Sequence, residues 1–492
     1  MSMEDGHQDT ATAGSMTDYR PAELVRLQRA AFESDGIPSL ATRRDRLDRL
    51  YRMLADNVDV LVSALRNDYG SRPRELTFAG DIAPVLREIS DQKAHLKAWS
   101  RPRCPNRLKW LAGIDERVRY DPLGVVGIAG PWNFPIQLCL VPAAAAIAAG
   151  NRVIIRPSSA TPRTSVTIAM LVAEYFSGAE LSAVTPEMGP GSDFSKLKFD
   201  GFFFTGSPTV GVQVAMDCAA NLVPVTLELG GKNPAIVDVE ADVRQAARQL
   251  ARSRMMNSGQ VCLSPDYAFV PEGSVDQFIE QVHETWREMF PAIARSPEYT
   301  AIINDHHFRR IETLVAEAES SGAQVRRMIP AGESLPERDT RKMPPMTVTS
   351  VQPGAAIERE EIFGPVLVVY PYRRIEDAIE HVNRRDCPLT LYWYGPKGAR
   401  YRQVLDRTRT GSVNGNDYLL NMAAGLPFGG VGASGTGNYH GEYGFRTFTH
   451  ARAVAYSRSP ISTARLMSPP YTGTDGRLLA FAERMLLSRG RA

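Results

Sequence analysis

Two residues near the middle of the chain could together perform covalent catalysis. Cys262 follows a Gly-Gln-Val turn signal, and Glu228 lies upstream beside two glycines. A thiolate is a strong nucleophile, and a carboxylate can serve as general base. The pair therefore predicts an enzyme with a covalent intermediate, although any one cysteine is by default a small buried apolar residue.

The stretches around this pair alternate between apolar strands and helices. A second alternation of this kind runs from residue 243 to 408. The order predicts an α/β fold with open, mostly parallel sheets, which bind ligands at the carboxyl ends of their strands. In the first half, strands are predicted at 124–130, 153–155, 201–204 and 224–229, and one of the helices between them at 142–149.

Composition excludes several classes of protein. The 492 residues imply more than one domain, and 43% hydrophobic with 23% charged residues is typical of a soluble globular protein. The net charge of +2, without a long basic run, gives no reason to expect a nucleic-acid partner. No stretch reaches the roughly 18 apolar residues that a membrane span needs, so none is expected.

The five cysteines and eight histidines indicate neither a disulfide framework nor a metal site. The cysteines are scattered, odd in number and without C-x-x-C spacing, and the histidines form no H-E-x-x-H pattern. A reduced, cytoplasmic setting fits this cysteine usage. Residues 1–18 are polar and lack the apolar core of a secretory signal, so they are predicted to be a disordered tail.

Six motifs are similar to those of the NAD(P)-dependent aldehyde dehydrogenase family and occur in the family's order. They are Pro131-Trp132-Asn133-Phe134-Pro135, Phe204-Thr205-Gly206-Ser207 with Gly211, Glu228-Leu229-Gly230-Gly231-Lys232, Gly259-Gln260-Val261-Cys262, Glu361-Ile362-Phe363-Gly364-Pro365 and Pro427-Phe428-Gly429-Gly430. Each alone is a weak signal, but the resemblance covers about residues 22–471. Finer features, such as Tyr439-His440-Gly441, resemble the class 3-like branch, which includes fatty-aldehyde and coniferyl-aldehyde dehydrogenases.

The resemblance implies a Rossmann-type cofactor domain, an α/β catalytic domain and a small β oligomerisation arm. The cofactor-binding domain is expected over 19–104 and 122–227, and the catalytic domain over 228–425. The arm is expected over 105–121 and 445–460, followed by a C-terminal tail over 461–492. Members of this branch are typically dimers, so the expected partners are an aldehyde substrate and a second copy of the chain.

The resemblance also assigns roles to residues. Cys262 would form a thiohemiacetal and then a thioester, Asn133 would donate to the adduct oxygen, and Glu228 would activate the hydrolytic water. The cofactor, NAD or NADP, would be held by Trp132, Gly206, Ser207, Gly211, Leu229, Glu361 and Phe363. Taken singly, several of these have simpler explanations: Trp132 and Phe363 as core, Asn133 as a turn cap, Glu361 as a surface acid.

Two positions depart from the family pattern where the adenosine ribose is bound. Relatives usually carry lysine at the position of Arg156 and glutamate at the position of Ser159. A glutamate repels a 2′-phosphate, whereas Arg156 offers a planar set of donors suited to one. We therefore expect NADP to be accepted. The alternative is that Arg156 simply replaces the lysine and that NAD use persists.

Two other functions are compatible with these motifs. A CoA-acylating relative would pass the thioester to CoA, but such enzymes generally lack the base that Glu228 would provide. A non-catalytic protein of the same fold would be expected to lose the thiol or the carboxylate, and both are present. The aldehyde, either aromatic such as coniferyl aldehyde or medium- to long-chain aliphatic, is implied by resemblance alone. Relatives often carry histidine near Asn421, which leaves the substrate open.

Overall fold

A computed structural model describes residues 20–106, 109–110, 113–423, 425–458, 464 and 467–489. The tail predicted at 1–18 lies outside these residues, as does part of the tail predicted at 461–492. The described chain divides into two compact units. The first unit consists of the chain up to Trp99 together with Pro122–Thr449. The second unit consists of Ser100–Asp121 together with the chain from His450 onward.

The helices carry the amphipathic and apolar segments of the sequence. The α-helices whose two ends are described are α1 (Pro21–Asp35), α2 (Leu40–Ala55), α3 (Val58–Tyr69), α4 (Arg74–Thr77), α5 (Ala83–Trp99), α6 (Pro135–Ala149), α7 (Pro162–Tyr175), α8 (Gly191–Phe194), α9 (Pro208–Ala219), α10 (Val243–Met255), α11 (Val275–Met289), α12 (Asp305–Ser320), α13 (Ala356–Arg359), α14 (Ile375–Asn383), α15 (Ala399–Arg407), α16 (Gly441–Thr447) and α17 (Gly473–Arg489). A π-helical turn, Phe78–Ile82, joins α4 to α5.

The strands of the described residues form three sheets. In chain order they are β1 (Ile114–Pro122), β2 (Val125–Ala129), β3 (Arg152–Arg156), β4 (Leu181–Ala183), β5 (Gly201–Gly206), β6 (Val225–Leu229), β7 (Asn233–Val237), β8 (Pro265–Pro271), β9 (Gln324–Arg327), β10 (Met346–Thr349), β11 (Val366–Tyr372), β12 (Thr390–Tyr394), β13 (Ser412–Gly415), β14 (Gly435–Thr436) and β15 (Thr449–Ser457). The sheet orders are β14-β6-β5-β2-β3-β4, β13-β12-β7-β8-β11-β10-β9 and β1-β15.

The six-stranded sheet provides a ligand crevice. Its strands are parallel except for the short β14, and β2, β3 and β5 are buried along nearly their whole length. Continuous apolar strands of this kind require cover on both faces. The strand order reverses between β2 and β5, and open α/β sheets bind ligands beyond the carboxyl ends of such a pair.

The helix predicted at 142–149 begins earlier, at Pro135, and all 15 of its residues are buried. Proline is favoured in the first turn of a helix, so Pro142 suggested a helix start, but the proline that begins the helix is Pro135. Pro142 lies inside α6, where its missing N–H removes one backbone bond. A helix that is apolar all round gains enough from burial to tolerate that loss. The consequence is that α6 starts directly after Asn133 and Phe134.

In the seven-stranded sheet, the site lies at the amino-terminal ends of β8 and β11. β8 and β11 are parallel neighbours, so the segments that precede them lie at the same edge. Cys262 precedes β8, and Glu361 precedes β11. Only residues 230–232 separate β6 of one sheet from β7 of the other, and Glu228 lies in β6 just before this link. The two sheets therefore bring the carboxyl and the thiol to one junction.

The second unit contains the pairing of β1 with β15. Nearly every residue of β15 is exposed. The helix α17 also carries exposed apolar side chains, including Phe481 and Leu487. Within the part of the chain that is described, no helix combines the length and the apolar character needed to cross a membrane.

Candidate active site

The backbone before Cys262 has three consecutive left-handed residues. The φ angle is 50° at Asn257, 53° at Ser258 and 76° at Gly259. A non-glycine residue in this region costs on the order of 1–3 kcal/mol, so the surroundings must hold these conformations. The Ser258 hydroxyl contributes by donating to the Thr300 carbonyl at 2.5 Å. Strained backbone of this kind clusters at active sites, and here it lies in the turn directly before Cys262.

Gln260 holds the same turn from within. Its side-chain amide donates to the carbonyls of Asn257 at 2.9 Å and Ala301 at 3.1 Å, and its Oε1 accepts from the Ile303 backbone N–H at 3.0 Å. These bonds join the turn to a segment about 40 residues away in the chain. Cys262 is thereby presented partly exposed.

Asn133 lies against the segment that carries the thiol. It is almost completely buried, and its Nδ2 donates to the Gln260 carbonyl at 3.3 Å. One N–H of the amide is used in this way, and the second can serve a ligand. The backbone N–H groups of Cys262 and Leu263 favour the thiolate. Donors beside a nucleophilic sulfur suit an adduct oxygen that develops negative charge.

Glu228 is a buried carboxyl without a partner. It is 3% exposed, and neither of its oxygens has a hydrogen bond within the described protein. Burial raises the pKa of Glu228 well above its ordinary value. Buried polar groups are nearly always bonded, so an unpartnered one suggests a group that acts on a ligand or a water molecule.

The surroundings of Cys262 favour the thiol over the thiolate. Burial raises the pKa of Cys262 to about 12, and the negative charges of Glu361 and Glu228 act in the same direction. Cys262 and Glu228 also line the same cavity. A proton acceptor or a nearby positive charge is needed to generate the thiolate.

Glu361 lies against the Gly230–Gly231 link. Its pKa is raised to about 8, mainly by burial and then by Asp266, although it accepts a hydrogen bond from the Gly231 backbone N–H. A Cβ atom at Gly230 would lie 2.3 Å from Oε2 of Glu361. Only glycine therefore leaves room for the carboxylate in this place.

An aromatic cluster forms the adjoining wall. The rings of Trp132 and Phe363 meet edge to face with centroids 5.3 Å apart, and His307 lies 4.9 Å from Trp132. Phe363 has a positive φ of 52°. The Arg310 guanidinium braces this loop by donating to the carbonyls of Glu361 and Ile362.

The carboxyl end of β5 leads into the start of a helix. Ser207 caps α9, and its hydroxyl accepts from the Val210 N–H at 3.5 Å. Unpaired N–H groups at a helix start suit a pyrophosphate. A Cβ atom at Gly211 would lie 2.6 Å from the Leu229 side chain, so Gly211 permits close packing of α9 on β6. Leu229 lines the neighbouring cleft, together with Gly206 and Ser207.

Arg156 and Ser159 lie apart from that cleft lining. The Arg156 guanidinium is largely buried and donates to the carbonyls of Gly189 at 2.7 Å and Thr185 at 3.4 Å. Two of its N–H donors are thus engaged with the loop after β4. Ser159 is exposed. The hypothesis of NADP use therefore depends on the absence of an acidic side chain at Ser159 more than on a free Arg156.

Two cavities meet at Cys262, which belongs to both linings. The larger, of about 1080 Å³, includes Trp132, Asn133, Glu228, Glu361 and Phe363. The smaller, of about 410 Å³, is walled mainly by apolar side chains, among them Phe134, Leu138, Val141, Met256, Leu420 and Phe428. The thiol can therefore meet an apolar ligand from one side and a second ligand from the other.

Asn421 is directed away from the apolar cavity. It is buried, and its amide donates to the Ser412 hydroxyl at 2.8 Å. The neighbouring Leu420 and Met422 line the cavity instead. The Asn421 side chain therefore has a structural contact, and its neighbours form part of the cavity wall.

Sequence reasoning missed the buried charges that hold the site. Lys232 and Arg254 both pair with Asp266, at 2.5 Å and 3.0 Å, and so join the β6–β7 link to the start of β8. Arg72 and Asp81 form a second fully buried pair at 2.7 Å. A usable signal was the position of Lys232 and Asp266 directly beside the Glu228 and Cys262 motifs. Arg72 and Asp81 stood in a region that showed only amphipathic helices.

The larger cavity has features that fit a nicotinamide dinucleotide. A helix start at Ser207 faces one part of it, and the Glu361 carboxylate offers acceptors for ribose hydroxyls. The Trp132 and Phe363 rings supply a flat wall. The strand reversal of the sheet places the crevice where dinucleotides bind in folds of this kind.

The fold and the larger cavity are those of an oxidoreductase that uses a nicotinamide dinucleotide. The sequence model of the aldehyde dehydrogenase family matches residues 9–454. The chain is 41% identical over 450 residues to a coniferyl aldehyde dehydrogenase of Pseudomonas sp. strain HR199, which covers 91% of this chain and 93% of that protein. It is 33% identical to a Rattus norvegicus protein named "aldehyde dehydrogenase, dimeric NADP-preferring", over 88% of this chain and 93% of the relative.

A solved structure of a substrate-bound state of Staphylococcus aureus AldH has a TM-score of 0.86 and 32% identity, and the match covers 93% of this chain and 98% of that one. The chain belongs to the aldehyde dehydrogenase family, and it oxidises aldehydes with NAD or NADP. The predicted α/β fold and enzyme class are thereby confirmed.

Proposed function

We propose that Cys262, Asn133 and Glu228 perform the oxidation of an apolar, aromatic aldehyde to its carboxylic acid. The observation that carries this proposal is the position of Cys262 on the boundary of the two cavities, with an unpartnered buried carboxyl nearby. A thiol there can attack an aldehyde from the apolar side. The resulting adduct then faces the larger cleft.

In the first half-reaction, the Cys262 thiol gives its proton to solvent water. The resulting thiolate adds to the aldehyde carbon, and the carbonyl oxygen becomes negatively charged. The free N–H of the Asn133 amide and nearby backbone N–H groups stabilise that charge. A nicotinamide held in the larger cleft by Glu361, Trp132 and Phe363 would supply the acceptor for the hydride that the adduct releases. Collapse of the adduct leaves an acyl group on the sulfur as a thioester.

In the second half-reaction, the ionised form of Glu228 takes a proton from a water molecule that attacks the thioester. Its raised pKa makes that ionised form a stronger base than an ordinary glutamate. Its unpartnered oxygens can accept that proton without first breaking a protein hydrogen bond. Cys262 leaves as the thiol or thiolate, and the carboxylic acid departs through the apolar cavity. Water, not CoA, is the acceptor in this proposal because Glu228 is present and buried at the site.

We assign cofactor binding to the six-stranded sheet and the thiol to the seven-stranded sheet. Ser207 and α9 would meet the pyrophosphate, Glu361 the nicotinamide ribose, and Trp132 with Phe363 the nicotinamide ring. Ser159 leaves no carboxylate to repel a 2′-phosphate. NADP should therefore be used beside NAD, and the name of the rat relative supports this proposal.

The substrate proposal follows from the smaller cavity. Its apolar wall and volume of about 410 Å³ suit a ring with a short side chain, such as coniferyl aldehyde. The name of the Pseudomonas relative supports the same class of aldehyde. A long aliphatic chain would need an exit toward Arg87 and Asp91, which line the same cavity.

A homodimer is proposed on different grounds. The β1–β15 sheet has only two strands, and its side chains are mostly exposed along β15. Isolated two-stranded sheets are marginally stable, so a second chain would complete the sheet. The rat relative is named as dimeric.

The cytoplasm is the proposed location because every one of the five cysteines is free.

The test is a panel of aldehydes with NAD or NADP on the wild type and on Cys262→Ala. We expect NAD(P)H formation to be lost in Cys262→Ala and retained in Cys218→Ala, which removes a buried thiol outside both cavity linings. The product should be the free acid whether or not CoA is added. Unchanged turnover in Cys262→Ala would refute the mechanism, and acyl-CoA formation would favour the CoA-acylating alternative.

A further inference from the structure

One buried guanidinium connects the two loops that form the reacting centre. Arg72 is fully buried, and its Nη1 donates to the Asn133 backbone carbonyl at 2.9 Å and to Oδ1 of Asn257 at 3.0 Å. Asn133 carries the amide beside the thiol, and Asn257 is the first left-handed residue of the turn before Cys262. The same nitrogen therefore contacts both the donor loop and the nucleophile loop.

Asp81 fixes the other side of this guanidinium. Its Oδ2 accepts from Nη2 of Arg72 at 2.7 Å. Its Oδ1 accepts from the backbone N–H groups of Ile136 and Gln137, at 3.2 Å and 3.4 Å, in the first turn of α6. Because α6 begins directly after Asn133, the Asp81 carboxylate anchors the helix start that follows the donor amide.

The two loops also converge on a single acceptor. The side-chain amides of Asn133 and Asn257 both donate to the Gln260 carbonyl, at 3.3 Å and 3.1 Å. Arg72 bonds the backbone carbonyl of Asn133 and the side-chain oxygen of Asn257. A shift of the guanidinium would therefore move the two side-chain amides relative to each other and to the Cys262 segment.

The guanidinium plane is itself held in place. Its carbon lies 4.9 Å from the centre of the Tyr69 ring and 5.0 Å from the centre of the Phe134 ring. A planar group that bonds three acceptors and stacks on two rings cannot be replaced by the single ammonium of a lysine. The contacts thus use the shape of arginine as well as its charge.

We propose that Arg72, held by Asp81, is a positioning residue that sets the separation of the Asn133 amide from the Cys262 sulfur and thereby the rate of the acylation half-reaction. This inference rests on the proposed roles of Cys262 and Asn133. Arg72 does not touch either ligand cavity, so it acts through those two residues. A misplacement of reacting groups by about 1 Å can cost about 100-fold in rate.

The decisive variant is Arg72→Lys, measured beside Arg152→Lys. Arg152 is a matched control because it is also buried, pairs with Asp35 and donates to the carbonyls of Ala31 and Ala179, outside both cavity linings. We expect Arg72→Lys to slow the first-turnover release of NADH by about 10- to 100-fold. The dissociation constant for NAD should change by less than about threefold, because cleft residues bind it. Arg152→Lys should lower Tm without slowing the first turnover.

A second measurement separates positioning from a merely structural role. In an Asn133→Ala background the donor amide is absent, so adding Arg72→Lys should slow the first turnover by less than about threefold further. Asp81→Asn, which keeps the shape of the side chain, should give a smaller loss in the same direction and serves if Arg72→Lys does not fold. Equal losses from Arg72→Lys with and without Asn133, or equal slowing by Arg152→Lys, would overturn the proposal. Failure of the proposed roles of Cys262 and Asn133 would look different, because Cys262→Ala or Asn133→Ala alone would then form NADH in the first turnover as fast as the wild type.

Discussion

Replacement of Glu228 by glutamine tests the assignment of the water-activating group most directly. The change keeps the shape of a side chain whose two oxygens have no protein partner, so no existing hydrogen bond is broken. General-base catalysis typically contributes 10²- to 10⁴-fold. We therefore expect Glu228→Gln to retain a first-turnover burst of close to one NADH per active site, while steady-state kcat falls by about 10²- to 10⁴-fold.

The pH dependence gives this prediction a second arm. Burial raises the pKa of Glu228 above its value in the unfolded chain, so the folded state holds a proton that the unfolded state has lost. The stability of the wild type should then fall as pH rises above about 4.3, with a slope of up to about 1.4 kcal/mol per pH unit until the folded-state pKa is passed. Glu228→Gln lacks this slope, so its stability relative to the wild type should increase with pH. Denaturant unfolding at several pH values measures the difference.

Asp217→Asn is a suitable control, because it also neutralises a buried carboxylate. Asp217 accepts hydrogen bonds from Ser195 and Gln213 and lies outside both cavity linings. This variant should leave both the burst and the turnover unchanged. The reasoning is refuted if Glu228→Gln turns over within about threefold of the wild type. Loss of the burst together with turnover would instead place Glu228 in the activation of the thiol.

Three further outcomes are expected. Gly230→Ala should raise the dissociation constant of NAD at least about tenfold, because the added Cβ atom would lie 2.3 Å from Oε2 of Glu361 and force the carboxylate to move. Fluorescence titration of the cofactor measures this constant, and an unchanged value would contradict the role of Glu361. Ser159→Glu should lower the ratio of kcat/KM for NADP to that for NAD by about tenfold or more, whereas an unaltered ratio would separate Ser159 from cofactor choice. Alkylation of Cys262 by iodoacetamide in the cofactor-free enzyme should accelerate about tenfold per pH unit between pH 7 and 10, since its pKa is raised to about 12; a plateau near neutral pH would show a thiol that is already ionised.

The sequence was most informative where chemistry and local pattern coincide. The alternation of apolar strands and helices was sufficient for the α/β class because the backbone satisfies its hydrogen bonds in few ways. Cys262 and Glu228 could be singled out because a thiol and a carboxylate beside glycines can serve as nucleophile and general base. The start of α6 was predicted too late because Pro142 carries the usual signal of a helix start, whereas burial decides the helix.

For the candidate site residues, motifs identified the residue types, whereas the tertiary structure decided their contacts. Trp132, Phe363 and Glu361 could be named from motifs, but their proximity depends on loops that follow or precede different strands. Arg156 illustrates the limit: its residue type suggested a phosphate-binding fork, and the fold directs the guanidinium to the carbonyls of Thr185 and Gly189. Residue type gives the donors, and tertiary contacts decide which acceptors they reach.

The sequence by itself determined the reaction class, through the Cys262 and Glu228 motifs and the order in which the others occur. Only the tertiary structure decided how that chemistry is assembled. It placed the thiol on the boundary of two cavities, left the Glu228 oxygens without a partner, and joined the Asn133 and Cys262 loops through Arg72. The physical reason is that burial and long-range hydrogen bonds set the pKa and the position of each group, and these depend on residues 60 to 190 positions apart in the chain.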